Sequence, residues 1–463
     1  MITSSAFSGK RYAVLGLART GLAAVRALLA SGAQVMAWDS REEPRATLAA
    51  EHGAKVELAD PVIADLTGYD GVVVSPGVPL NRHPMVDAAA RFGVPVIGDI
   101  ELFALARPTL PAHRVVGITG TNGKSTTTAL VHHLLQCAGV PSRMGGNIGL
   151  PVLGQDPLVP NDQGSGVYVL ELSSYQIDLS FSLACDAAVL LNVTPDHLDR
   201  YASFEAYAAS KARLFEMQQA DQHAVFGVRD VETLAVAARE QVRRGPSRVH
   251  FVDGAEIVAH QPEWPSLQGP HNLQNAAAAV AIVAALGLTE AQWRPGLASF
   301  KGLPHRLERV AEAHGVVFIN DSKATNPASA APALAAFPPQ PDSGVEPGRR
   351  RIHWILGGLP KGDDLIECAP YFGNVAAAYT IGDAGPRFAE LLEPYVPVRR
   401  SEMMCEAIRE AIKAAHPGDV VLLSPACASF DQFRDYEARG DTFRQIVQTL
   451  LTPEPETTVG GRG

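Results

Sequence analysis

The sequence predicts an α/β protein of three domains, each built on a mainly parallel sheet with flanking helices. Three observations predict it. A chain of 463 residues is longer than one hydrophobic core usually serves, and the length prior is about three domains. Short apolar runs of strand length alternate with helical segments in the first hundred residues and again in the last third. Between them, the apolar pair Val115-Val116 leads into a glycine-rich turn, Gly117 to Thr126, that passes straight into a helix.

Composition narrows the class of partner. The apolar fraction of 46% and charged fraction of 19% describe a soluble globular protein. A net charge of -10 argues against nucleic acid, whose binding needs clustered Lys and Arg to release counterions. Five widely spaced cysteines with no C-x-x-C pair fit a reducing compartment. Met1 to Lys10 lacks an apolar signal core, and the longest apolar run, Ala276 to Leu286, is too short to span a bilayer. A cytoplasmic enzyme with no membrane partner is expected.

In chain order, Arg11–Leu15 reads as a strand, and Gly16-Leu17-Ala18-Arg19-Thr20-Gly21 opens a helix that runs to Ala30. Gln34–Trp38 is a second strand, ending at Asp39 about twenty residues after the turn, the outline of a dinucleotide-binding fingerprint. It places phosphates on the helix N-terminus near Arg19 and Thr20, and the nucleotide's polar groups near Asp39, Ser40 and Arg41. On this fragment alone, a structural β-α-β unit that binds nothing is the alternative. The apolar run from Gly71 to Val74 then ends in Ser75-Pro76-Gly77, a second loop at the carboxyl edge where open sheets bind ligands.

The central turn carries the most specific chemistry. Gly120, Thr121, Asn122, Gly123, Lys124, Ser125 and Thr126 let backbone N–H groups close around an anion at a helix N-terminus. Lys124 supplies a point charge for the outer phosphates and Ser125 a hydroxyl for Mg²⁺. The strict pattern wants glycine where Ile118 stands, with Gly117 one place earlier. Farther on, Gly145 to Gly149 is a glycine loop offering the Asn147 amide. Val167 to Leu170 is a buried strand with Glu171 at its end, placed to hold a metal or, alternatively, a capping or surface acid. Ala188 to Val193 is another strand, followed by His197 between two acids, which suits contact with a metal or a substrate carboxylate. Lys211, read by itself, is a solvated helix lysine. Asn272 and Asn275, three apart on a strongly apolar helix, read by themselves as polar residues at its start.

Taken together, G-T-N-G-K-S-T, G-G-N-I-G, L-E-L-S-S-Y-Q, N-V-T-P-D-H-L-D-R-Y and S-K-A-R-L-F, in this order, resemble the central domain of the Mur ligases. The resemblance implies ATP-driven amide formation between a UDP-linked muramoyl precursor and an amino acid. It implies a carbamylated Lys211, an N6-carboxylysine, where an ammonium would repel two Mg²⁺ ions. The implied metal shell is Ser125, Glu171, His197 and Lys211, with Lys124, Glu171, His197 and Lys211 as the catalytic set. Asn272 and Asn275 would lie near the adenine, and Asn147 and His197 near the UDP-linked substrate.

The last third alternates again, with strands at Val316–Asn320, His353–Leu356, Ala376–Ile381 and Val420–Leu423, each followed by a helical segment, so another parallel sheet is expected. Pro338 to Arg351 reads as an exposed loop and Thr452 to Gly463 as a frayed tail. Three strand ends carry polar clusters: D-S-K-A-T-N from Asp321, G-G-L-P-K-G from Gly357 and S-P-A-C-A-S-F-D-Q-F from Ser424. These strings resemble the branch of the family that adds D-glutamate to UDP-N-acetylmuramoyl-L-alanine. The resemblance implies that Thr325, Lys361 and Ser429 hold the D-glutamate carboxylates, with Tyr436 where a phenylalanine can sit. Asp321 and Lys323 would face the ATP phosphates and metal, and Arg306 would reach the nucleotide.

The expected organisation is a Rossmann-like domain over residues 1–99 for the UDP substrate, a P-loop-type ATPase domain over 100–302, and a Rossmann-like domain over 303–463 for the amino acid. A monomer is expected, with a hinge near Gly302 so that closure excludes water from the activated intermediate. Two rival readings stand beside this one. A folylpolyglutamate synthase shares the phosphate loop but would not carry the extra N-terminal domain. A dinucleotide-binding oxidoreductase or nucleotide-sensing regulator leaves Lys124, Glu171 and Lys211 without work.

Overall fold

A computed structural model describes residues 1–162, 164–196, 200–339 and 348–452. Three sheets of α/β type carry the chain. The first holds β1 (Arg11–Leu15), β2 (Gln34–Trp38), β3 (Val56–Leu58), β4 (Gly71–Val74) and β5 (Val96–Ile97) in the order β3-β2-β1-β4-β5. The second holds β6 (His113–Thr119), β7 (Ser142–Gly146), β8 (Gly166–Glu171), β9 (Ala187–Leu190), β10 (His223–Gly227) and β11 (Val249–Val252), in the order β11-β10-β9-β6-β8-β7. The third holds β12 (Glu308–Ala313), β13 (Val316–Asn320), β14 (Ile352–Gly357), β15 (Val375–Ile381), β16 (Val398–Glu402) and β17 (Val420–Leu423), ordered β12-β13-β17-β14-β15-β16. By packing, the chain divides into two compact units, 1–257 with 274–298, and 258–273 with 299–463.

The central strands β4, β8, β9, β14 and β17 are buried along their whole length. Helices cover both faces of such a parallel sheet, so its strands read as unbroken apolar runs. That is why Gly71–Val74 and Val420–Leu423 were legible to the residue. In the first sheet the strand order reverses between β1 and β4, which pair in parallel, and the turns after these two strands flank the resulting crevice. In the second, β6 lies between β9 and β8, which brings the turns after β6, β8 and β9 to one edge. In the third, β13, β17 and β14 are neighbours, and their three polar loops meet in the same way.

Two expectations about elements need correction. The third sheet is not wholly parallel: β12 runs antiparallel to β13 at its edge. Its sequence, E-R-V-A-E-A, has the charge of an edge strand exposed on one side. The strand expected to run to Val193 ends at Leu190, and Asn192 beyond it turns to bond the Gly120–Thr126 loop. The helical segment expected after β14 is a 3-10 helix, Ile366–Asn374, with Pro370 inside it. The strand β16 was missed as well; V-R-R-S-E carries its charge at the sheet's other edge.

Candidate active site

Strand β6 delivers the chain into the turn at Gly120, and the helix Lys124–Cys137 starts directly after Gly123. Gly123 caps that helix at φ +88°, a left-handed conformation costly to residues with a Cβ, and a Cβ there would come within 2.3 Å of Asn275 Oδ1. Asn192, given no role by the sequence, shapes the loop. Its side-chain oxygen accepts from Asn122 N at 2.8 Å, its amide donates to Asn122 O, and its carbonyl accepts from Thr121 N at 2.9 Å. The available signal was an amide residue two places past the end of a buried strand.

Two lysines converge on the loop. Lys124 Nζ donates to the carbonyls of Gly120 and Thr121 at 2.9 and 2.8 Å, and Lys211 Nζ donates to the same Gly120 carbonyl at 2.9 Å. Lys211 is 1% exposed, which corrects the reading of that residue taken alone as a solvated lysine. Tyr207, Leu214 and Phe215 share its buried helix face, and its ammonium lies 4.6 Å from the centre of the Tyr207 ring. Burial, then repulsion from Lys124, pushes the Lys211 amine well below the usual lysine range. A neutral amine is the form that can add CO₂ and become a carbamate.

Glu171 at the end of β8 is 2% exposed. Its Oε1 accepts from Asn147 Nδ2 at 2.9 Å, and its backbone carbonyl accepts from Asn147 N at 2.8 Å. Its Oε2 is buried and has no hydrogen-bond partner. An ionised buried oxygen without a donor is costly, and a hard cation satisfies it. Ser125 is buried on the first turn of the helix Lys124–Cys137. Among the described residues no three His, Cys, Asp or Glu side chains form a metal cluster. The family-type shell contains only Glu171 and His197 of these types, and His197 lies outside the described residues. The donors that are described fit Mg²⁺.

Beside this centre a cavity of about 340 Å³ opens at the crevice of the first sheet. Arg19, Thr20, Asp39, Ser75, Gly77 and Asn147 line it, and so does Gln176, which the sequence reading did not single out. Ser40 and Arg41 are not among its lining residues. Asp39 is largely spent on the fold: Oδ2 accepts from Leu17 N at 2.8 Å, and Oδ1 accepts from Arg41 N and Nε at 3.0 and 3.2 Å. Burial raises its carboxyl, but these donors prevail and hold it below the usual range. The Ser75 hydroxyl donates to Gly16 O at 2.8 Å and ties the two glycine-bearing turns together.

In the second unit, the three polar loops meet as expected. Lys361 Nζ donates to Thr325 Oγ1 at 3.4 Å, and Leu359 and Ala428 exchange backbone hydrogen bonds at 3.0 and 2.9 Å, next to the buried Ser429. Asp321 is buried, accepting from Ser424 Oγ at 2.7 Å and Leu307 N at 3.1 Å, and burial pushes its carboxyl up to about 7. The nearby Arg306 charge acts in the opposite direction. Lys323 Nζ sits 3.7 Å from the centre of the Tyr436 ring. Tyr436 is thereby placed with Lys323, while Lys361 pairs with Thr325. Asn272 donates to Gln268 O at 3.1 Å. Arg439, also unforeseen, lies beneath the three loops and is 1% exposed. Its signal was an arginine in the buried stripe Arg439, Phe443, Val447 of the helix Tyr436–Leu451.

Comparison with known proteins places the chain. The family descriptions "Mur ligase MurD-like, N-terminal domain", "Mur ligase middle domain" and "Mur ligase, glutamate ligase domain" match residues 10–98, 118–283 and 305–427. A UDP-N-acetylmuramoylalanine–D-glutamate ligase of Novosphingobium aromaticivorans is 66% identical over 451 residues, covering 97% of each chain. That of Sphingopyxis alaskensis is 57% identical over 97% of this chain and all of its own. Among solved structures, a UDP-N-acetylmuramate-alanine ligase from Thermotoga maritima shares the fold at a TM-score of 0.54 and 17% identity, covering 95% of this chain and 99% of that one. The chain belongs to the Mur ligase family.

Proposed function

We propose that this chain joins D-glutamate to UDP-N-acetylmuramoyl-L-alanine at the expense of ATP, releasing ADP and phosphate, in cytoplasmic peptidoglycan precursor synthesis. The observation that carries the chemistry is the pair of lysines on one carbonyl of the phosphate loop beside the buried, unpartnered oxygen of Glu171. The choice of substrates rests on the likeness to ligases of that name across 97% of the chain. Residues 1–99, 100–302 and 303–463 are taken as the domains for the UDP substrate, ATP and the amino acid.

The loop Gly120 to Thr126 wraps the ATP phosphates, and Lys124 turns from its two carbonyls to the outer ones. Asn272, Asn275 and Arg306 take the nucleoside end, and Asp321 and Lys323 face the phosphates. The diphosphate of the sugar nucleotide rests on the helix N-terminus at Arg19 and Thr20, with Asp39, Ser40, Arg41, Ser75, Gly77 and Asn147 around it. Ser125, Glu171, His197 and carbamylated Lys211 would hold two Mg²⁺ ions, which neutralise charge that builds up during phosphoryl transfer. The muramoyl-alanine carboxylate attacks the γ-phosphorus and ADP leaves, giving an acyl phosphate. Thr325, Lys361 and Ser429, with Tyr436 beside them, hold D-glutamate by its carboxylates. Its neutral amine then attacks the acyl carbon, expels phosphate and releases one proton as the amide forms.

The test is phosphate release from ATP by the full chain. Release is expected only when UDP-N-acetylmuramoyl-L-alanine and D-glutamate are both present, with L-glutamate, L-lysine and diaminopimelate inactive. Undiminished release with neither substrate, or preference for another amino acid, would refute the assignment.

A further inference from the structure

Arg439 occupies a position where packing alone would select an apolar side chain. The helix Tyr436–Leu451 buries residues 439, 443 and 447 on one stripe, and two of the three are Phe443 and Val447. A guanidinium in that stripe must be matched donor by donor, because a buried charge left unsatisfied costs several kcal/mol. Arg439 is matched by four neutral acceptors. Nε donates to Ser322 Oγ at 3.0 Å, and Nη2 donates to Ser322 O at 2.9 Å and Cys427 O at 3.0 Å. Nη1 donates to Ala428 O at 3.1 Å. No carboxylate forms an ion pair with it among the described residues. Burial lowers the guanidinium to about 10, so the cation persists at neutral pH.

The acceptors belong to the loops that carry the proposed amino-acid site. Ser322 precedes Lys323 and stands three residues before Thr325. Cys427 and Ala428 precede Ser429, and the exchange between Leu359 and Ala428 fixes the loop of Lys361 to the same point. One planar group with fixed donor directions therefore sets the spacing of all three loops. The carbonyl of Ala428 and the N–H of Ser429 belong to one peptide unit. A cation donating to that carbonyl strengthens the dipole of the unit and makes its N–H a better donor to an anion.

We propose that Arg439 is a positioning residue for the amino-acid substrate, holding the Thr325, Lys361 and Ser429 loops at the separation its carboxylates require and polarising the Ala428–Ser429 peptide toward them. This rests on the reading that those three residues receive D-glutamate. Lysine can supply the charge but not four donors in one plane, so Arg439→Lys should fail to substitute.

The full chain carrying Arg439→Lys or Arg439→Ala is compared with wild type in the phosphate-release assay, with circular dichroism and thermal unfolding as controls. KM for D-glutamate should rise about tenfold or more, a change of 1.4 kcal/mol per decade, while KM for ATP and for the sugar nucleotide change less than about twofold. Millimolar guanidinium should lower the raised KM of Arg439→Ala. A purely structural role would reduce Tm and kcat with all three KM values unchanged, and that result would overturn the proposal. Should neither variant fold, Ser322→Ala removes one of the four acceptors; an unchanged KM for D-glutamate there is the refuting result. Wild-type enzyme releasing no phosphate in response to D-glutamate would instead bring down the underlying reading.

Discussion

Gly123→Ala isolates the geometry of the phosphate loop. At φ +88° and ψ −13° an L-residue pays about 1–2 kcal/mol for the left-handed conformation. The new Cβ would stand 2.3 Å from Asn275 Oδ1 and 3.2 Å from Leu191 Cδ1, so the buried Asn275 amide must move and forfeit about 1 kcal/mol of polar contact. Together these give about 2–3 kcal/mol, or a fall in Tm of about 5–10 °C for a domain of roughly 200 residues. The same displacement opens the loop, so KM for ATP should rise by at least about tenfold. Thermal unfolding and ATP-dependent phosphate release measure the two effects. Adding Asn275→Ala should relieve the clash but not the backbone strain, leaving a coupling of about 1 kcal/mol between the two sites. A Gly123→Ala protein with wild-type Tm and wild-type KM for ATP would refute the reasoning.

Lys211→Ala should abolish activity, and short carboxylic acids at millimolar concentration should restore part of it by standing in for the carbamate; full activity without them excludes that role. Asp321 contributes a pH dependence of reversed sign to the usual carboxylate. Its native value of about 7 lies above the unfolded value near 4, so between those limits the native chain keeps a proton that the unfolded chain has lost. Stability is therefore greatest below about pH 4 on this account and declines by a few kcal/mol as pH rises to about 7; Asp99, raised by burial to about 6, acts with the same sign. Denaturant unfolding of Asp321→Asn should show a flatter profile over that range, and an unchanged slope would contradict the burial argument.

Much of the fold was readable because buried parallel strands are written as uninterrupted apolar runs, as in Gly71–Val74 and Val420–Leu423. The strands that escaped, β3, β5, β7, β10, β11, β12 and β16, lie at sheet edges apart from β10; in β12 and β16 charge replaces alternation and the sequence looks like a loop. At the site, residues adjacent in sequence were legible: the Gly120–Thr126 turn is a local device. Lys211 was harder to read in isolation because its burial comes from the helix face it shares with Tyr207 and Leu214 and from the distant carbonyl of Gly120. Asn192 and Arg439 act through backbone carbonyls and amides of other loops, partners that any residue type supplies and no motif records. Gln176 was passed over for a similar reason. Its carboxamide oxygen accepts from Ser173 N in a capping box, a local role that conceals its place in the cavity wall.

The account turns on the substrate carboxyl group being phosphorylated before the amide forms. Supplying UDP-N-acetylmuramoyl-L-alanine labelled with ¹⁸O in the alanyl carboxylate and analysing the released phosphate by mass spectrometry tests this step. One labelled oxygen per phosphate is predicted, carried over when the amine of D-glutamate displaces it. Unlabelled phosphate alongside amide product would contradict the account.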